Sequence, residues 1–399
     1  MTTRTRARHG RLAGRAEPAP ALDVDALLDD PATRIVVCCG SGGVGKTTTS
    51  AALALRAAER GRRVVVLTID PARRLAQSMG IEALDNTPRP VPGAHAKNGG
   101  ALDAMMLDMK RTFDEVVESQ ASPEKAQQIL ANPFYQALSS SFAGTQEYMA
   151  MEKLGQLHRD AQRSGRWDLI VVDTPPSRSA LDFLDAPERL SSFLDGRFIR
   201  LLLAPARGPA RLMTAGLGVV THALTKVLGA QVLRDMQTFV AAFDTLFGGF
   251  RQRAQKTFEL LQAPGTSFLV VAAPEPAAIR EAAYFVERLE EERMPLSGLV
   301  VNRAGQLPPG GLSADEATAA AERLDRAPKR NGTATAPLTA GLMRLHAERV
   351  QIVARESRLA QRFTAAHPHV PTVVLPALPT DVHDLDGLRL VGQLLGSAR

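Results

Sequence analysis

The run Gly40-Ser41-Gly42-Gly43-Val44-Gly45-Lys46-Thr47 constrains this chain more than any other feature. It follows the apolar, β-branched segment Arg34–Cys39 and precedes the helix-favouring stretch Thr48–Arg60. That is the strand–loop–helix setting that the Walker A pattern G-x-x-x-x-G-K-[ST] requires. Glycines let successive backbone N–H groups turn inward as an anion nest, and the following helix adds the positive end of its dipole. In this reading Lys46 bridges the β- and γ-phosphates of a nucleotide and Thr47 ligates Mg²⁺. Gly40, Ser41, Gly42, Gly43, Val44, Gly45 and Thr48 complete the cradle. A chance glycine-rich turn would lack the flanking strand and helix.

The remainder of the chain suits such a loop. Strand candidates are Ile35–Cys39, Val64–Ile69, Met105–Met109, Leu169–Val172, Phe268–Ala272, Leu299–Val301 and Val373–Leu375. Most are apolar throughout, as strands covered on both faces of a parallel sheet must be. With helices between them, the expected fold is α/β, a doubly wound, mostly parallel sheet of the P-loop NTPase type. Residues 1–33 read as a disordered, Arg-rich arm and 34–399 as the ATPase domain. Two stretches without strands, about 110–165 and 183–262, predict an inserted α-helical subdomain. In the second, Val232, Leu233, Met236, Phe239, Val240, Phe243, Leu246 and Phe247 fall on one helical stripe. Residues from about 304 to 335, with Leu307-Pro308-Pro309-Gly310-Gly311, predict a flexible segment, either a variable loop or a frayed helix.

Two aspartates lie at strand ends that should face the loop. Asp173 closes Leu169–Val172, where a carboxylate would hold Mg²⁺. Asp70 follows Val64–Ile69 and could orient and deprotonate an attacking water. The alternative is that each caps a turn before a proline, in Asp70-Pro71 and Asp173-Thr174-Pro175. After Val300-Val301, Asn302 offers an amide able to read a base edge, or else a plain strand-end cap. Arg303-Ala304-Gly305 follows instead of the Lys-x-Asp that would grip guanine, which favours ATP over GTP.

Charge and cysteine narrow the class. The net charge is +6, but Arg4, Arg6, Arg8, Arg11 and Arg15 against Glu17 leave only +2 for everything after residue 20. A nucleic-acid partner is therefore not expected, because phosphate binding needs clustered cations on a folded face. Cys38 and Cys39 are the two cysteines, adjacent in an apolar run, and point to a reducing cytoplasm. The longest charge-free stretch of the middle region, Leu212–Thr225, has 14 residues. A membrane span needs about 20, so no transmembrane segment is expected.

The segment 35–84, with Gly40–Thr49 and Thr68-Ile69-Asp70-Pro71-Ala72, resembles the arsenical-pump and tail-anchored-protein-targeting family of P-loop ATPases (the SIMIBI class). So do Val172-Asp173-Thr174-Pro175-Pro176, Ala180–Leu184 and Pro187. Leu375-Pro376-Ala377-Leu378-Pro379-Thr380-Asp381-Val382 looks like its adenine loop, which puts Pro376 and Leu378 at the base. The likeness covers most of 34–395 and is closest to actinobacterial members, in keeping with 40 Arg to 8 Lys. It implies a dimeric ATPase with Mg²⁺-ATP near the interface, Asp70 in switch I and Asp173 in switch II. It also implies a helical insert that opens or closes an apolar surface with nucleotide state.

Three departures qualify the likeness. The family's loop begins Gly-Lys-Gly-Gly, and that lysine reaches across the dimer to the partner's phosphates; here the position is Ser41. A homodimer should then hydrolyse ATP slowly, and a homologous subunit bearing the lysine is the expected partner. Next, Cys38 and Cys39 lie on the loop's own strand, away from any arsenite site, and the zinc-binding CxxC of the targeting ATPase is missing. Lastly, Ser177-Arg178-Ser179 stands where the family often has Thr-Gly-His; Arg178 could meet phosphate or simply be solvated. Met149, Met151, Met213 and Met236 could line a groove for an apolar client or membrane-protein segment, or simply pack in the core. The functional expectation is an ATP-hydrolysing switch in a heterodimer. A weakly hydrolytic regulatory subunit and an arsenite-pump subunit are the alternatives.

Overall fold

The computed structural model describes residues 20–69, 74–96, 98–133, 135–136, 139, 145–175, 252–326 and 335–397. Among these, eight strands form one sheet: β1 (Ile35–Cys39), β2 (Arg63–Thr68), β3 (Arg89–Pro90), β4 (Ala101–Met106), β5 (Leu169–Asp173), β6 (Thr266–Ala272), β7 (Leu296–Ala304) and β8 (Thr372–Pro376). Their order is β3-β4-β2-β5-β1-β6-β7-β8. Every pairing is parallel except β3 with β4. The helices are α1 (Val24–Asp29), α2 (Lys46–Glu59), α3 (Arg74–Ser78), α4 (Met109–Gln120), α5 (Pro123–Leu130), α6 (Thr145–Ser164), α7 (Pro276–Glu291), α8 (Ala314–Arg326), α9 (Thr335–Ala366) and α10 (Leu385–Ser397). Residues 252–262 are also helical.

The apolar strands follow from burial on both faces. Along β1, Ile35, Val37 and Cys39 point into one core with residues of α4, α6 and α7, whereas Val36 and Cys38 point into the other with α1, α2 and α10. Side chains alternate across a pleated strand, so a strand between two helical layers has no face left for polar residues. Parallel alignment then brings the C-terminal ends of β1, β2, β5, β7 and β8 to one edge, where open α/β sheets hold their ligands.

Several expectations are corrected. The strand expected at Met105–Met109 lies at Ala101–Met106, because Asp108 accepts a hydrogen bond from Arg111 N (2.9 Å) and starts α4 at Met109. Strand β3 was not anticipated; at two residues it exists only through its antiparallel partner β4. Within 304–335 the described residues include helix α8, one of the two forms expected there. Ser313 and Glu316 form a reciprocal capping box that starts α8, and Arg344 of α9 pairs with Asp325. Met149 and Met151 are buried in the main core rather than lining a groove. The stripe 232–247, Met213, Met236 and Ser177-Arg178-Ser179 lie outside the described residues.

Residues 20–33, expected within the arm, belong to the folded body. Asp23 caps α1 by accepting from Ala26 N (2.9 Å), and Leu22, Val24 and Leu28 are buried. Arg62 secures this segment. Its guanidinium donates to Leu28 O (2.8 Å), Asp30 O (3.0 Å), Thr33 O (2.8 Å) and Asp168 O (2.8 Å), and its Nε to Asp168 Oδ1 (2.5 Å). Arg62→Ala takes the guanidinium donor from Leu28 O and Thr33 O and breaks the ion pair with Asp168, which keeps only its longer bonds from Arg63. A loss of about 2–3 kcal/mol of stability is expected in urea denaturation, and a loss under about 0.5 kcal/mol would deny Arg62 this role.

Candidate nucleotide site

Loop 40–45 leaves β1 and enters α2 through Gly45, whose φ of 95° is left-handed. No side chain caps α2, so its first N–H groups remain available to a ligand. A Cβ at Gly45 would collide with Asn302 Nδ2, and one at Gly40 (φ 147°) with the Val271 carbonyl. Those two positions therefore require glycine. Lys46 is buried at 5% exposure, with Nζ donating to Ser41 O at 2.8 Å across the loop.

Asp173 is fully buried at 0% exposure. In the sheet it lies opposite Cys38 of β1 and Thr68 of β2. Its Oδ2 accepts from Thr47 Oγ1 and from Thr68 Oγ1, each at 2.8 Å. Thr174 Oγ1 donates to Cys38 O (2.8 Å), which fixes the chain just after it. Thr68 and Thr174 were missed in the sequence. Their signal was a hydroxyl at the end of an apolar run, which means little until the register is known. A hydroxyl and a carboxylate at hydrogen-bond distance are hard oxygen donors of the kind Mg²⁺ takes. Among the described residues no group of three or more His, Cys, Asp or Glu could hold a metal by itself. Asp70 lies outside the described residues, but Ile69 N, immediately before it, donates to Asp173 O (2.9 Å).

Thr48, Asn302, Pro376 and Leu378 meet at one cavity of about 310 Å³ beside the loop. Asn302 is not free to read a base with both amide atoms. Its Nδ2 donates to Val44 O (2.8 Å) and its Oδ1 accepts from Arg303 N (3.0 Å). The cavity also has a carboxylate, Asp381. The lack of an acid after Asn302 therefore does not by itself choose adenine over guanine. Cys38 and Cys39 are buried, and burial pushes both thiols up to about 12. Cys38 packs in one core and Cys39 in the other, so the two thiols face opposite sides of the sheet and do not converge on a shared soft-metal ligand.

The family model described as "Anion-transporting ATPase" matches residues 33–310. The chain belongs to this anion-transporting ATPase family. The matched span includes the phosphate loop, Asp173 and Asn302, while the Pro376–Leu378 side of the cavity lies beyond it. Similar relatives include the "ATPase ASNA1 homolog" of Cryptosporidium parvum, 27% identical over 66% of this chain and 63% of that protein. An "Arsenical pump-driving ATPase" of Acidiphilium multivorum is 32% identical over 39% of this chain and 26% of that protein. The "ATPase GET3" of Malassezia globosa is 27% identical over 71% and 76%. The chain thus spans less than two thirds of the first two relatives it matches. Among the described residues no helix is long and apolar enough to cross a membrane.

Proposed function

We propose that this protein is a cytoplasmic, Mg²⁺-dependent ATPase switch, converting ATP and water to ADP and phosphate, and that it works as one subunit of a heterodimer. The observation that carries the reading is the Thr47–Asp173 pair, 2.8 Å apart, at the mouth of an uncapped helix preceded by a glycine loop. In this reading the loop amides and Lys46 hold the polyphosphate. Thr47 and Asp173 would hold Mg²⁺, which when bound neutralises charge on the phosphate oxygens. Asp70 orients the attacking water and accepts its proton. Pro376, Leu378 and Thr48 pack about the base, with Asn302 alongside.

The heterodimer half of the proposal rests on Ser41. A neutral hydroxyl cannot supply the cation that the family's lysine brings across the interface, so a homologous subunit carrying that lysine completes the site. In this reading the helical insert then answers to nucleotide state and handles an apolar client or membrane-protein segment. The arsenite-pump reading has no support from Cys38 and Cys39, which are buried on opposite faces of β1. A regulatory subunit with little turnover is the second reading, favoured by Ser41 itself.

Co-purification from native cells, followed by ATPase assays on the isolated chain and on the complex, tests the proposal. The expected result is slow turnover alone and fast turnover in the complex, with Asp70→Asn abolishing turnover but sparing ATP binding. Equal rates with and without the partner would remove the heterodimer. Indifference to Asp70→Asn would leave the regulatory reading.

A further inference from the structure

The end of β7 holds the rim of the phosphate loop. Asn302 Nδ2 donates to Val44 O at 2.8 Å, Arg303 Nη1 donates to Gly43 O at 3.0 Å, and Arg303 N donates to Asn302 Oδ1 at 3.0 Å. Consecutive residues on a regular strand point to opposite faces, so two neighbours should not reach one loop. They do so here because Arg303 takes a left-handed backbone, φ 63°, where the β7–β8 register shifts between Val301 and Ala304. Such a conformation is uncommon for a non-glycine residue. A strand-end irregularity that re-aims a side chain is a frequent feature of functional sites.

The held carbonyls have a consequence for the amides behind them. In a trans peptide unit C=O and N–H point in opposite directions. The Gly43 carbonyl shares its unit with Val44 N–H, and the Val44 carbonyl with Gly45 N–H. Pinning both carbonyls to donors on β7 aims both N–H groups the other way, into the concavity where an anion binds. We propose that Arg303, with Asn302, is a positioning residue that presets the anion-binding geometry of the phosphate loop. Because both also line the cavity beside Pro376 and Leu378, they join the base and phosphate halves of the site into one mechanical unit. This rests on the reading of residues 40–47 as a nucleotide phosphate site.

Inorganic tripolyphosphate, which has no base, separates this role from simple base contact. Binding of Mg²⁺-ATP and of Mg²⁺-tripolyphosphate is measured by calorimetry on the wild type, Arg303→Gly, Arg303→Lys and Lys46→Ala. Glycine accepts the φ of 63° without strain, and lysine keeps one donor for the Gly43 carbonyl. Arg303→Gly should weaken both ligands by about tenfold with the melting temperature of the free protein unchanged. Arg303→Lys should restore both to within about threefold of wild type. Tripolyphosphate binding unaltered in Arg303→Gly would overturn the proposal, whether or not ATP binding falls. So would a loss of affinity that tracks a fall in melting temperature and is not rescued by lysine. A wild type that binds neither ligand, and matches Lys46→Ala, would instead overturn the phosphate-site reading itself.

Discussion

Ser41→Lys should raise the ATPase rate of the isolated chain on the order of 10³-fold, the scale at which a cation supplied across an interface acts in phosphoryl transfer. Charge builds on the transferred phosphoryl oxygens in the transition state, and binding that charge lowers the barrier only if a cation is placed there before reaction. Ser41 offers a hydroxyl at that loop position, while its backbone carbonyl already accepts from Lys46 Nζ at 2.8 Å. Lys46 is thus oriented within its own loop. A lysine at 41 would be a second, outward-reaching cation. Adding a lysine-bearing homologue to the wild type should produce an increase of the same order. Steady-state phosphate release across a titration of the partner measures both. If neither the substitution nor the partner changes the rate, the slow step lies elsewhere and the shared site is refuted.

Asp173→Asn should lower turnover by about 10²- to 10³-fold while leaving the fold intact, and Lys46→Ala should do at least as much by removing a phosphate-binding cation. Asparagine matches the shape of aspartate, so the packing of β5 between β1 and β2 survives. The negative charge does not survive, and with it goes the strongest oxygen donor beside Thr47. Thermal unfolding with and without Mg²⁺-ATP isolates the effect. A ligand at 100 times its Kd stabilises the native state by about 2.7 kcal/mol, and the Mg²⁺-dependent part should vanish in Asp173→Asn. Full Mg²⁺-dependent stabilisation in the variant would take Asp173 out of the site.

What could be read before the fold was seen is what depends on neighbours in sequence. The phosphate loop, the strand before it and the helix after it are one contiguous segment, so pattern and context arrive together. Asp173 was legible because it terminates an apolar run, and the two-faced burial of β1 explains why such runs mark strands in this protein. The strand expected at Met105–Met109 runs past its true end because Met105, Met106 and Leu107 look like continuing strand, whereas one cap hydrogen bond at Asp108 decides the boundary. Residues 20–33 looked like more of the Arg-rich arm because their anchor, Arg62, lies beyond the loop-and-helix unit.

The charge total of the chain said little about partners, and the sequence by itself determined the chemistry on offer: a glycine loop with Ser41, Lys46, Thr47 and Asp173. Tertiary structure decided which groups converge on it. Thr68 reaches Asp173 across 105 residues, and Arg303 reaches the Gly43 carbonyl across 260. Parallel strands bring such residues together because each crossover returns the chain to the same edge of the sheet, so nearness there depends on strand order and register. The left-handed turn at Arg303 is likewise set by the β7–β8 register shift. A local pattern cannot encode a partner that the chain meets only after folding.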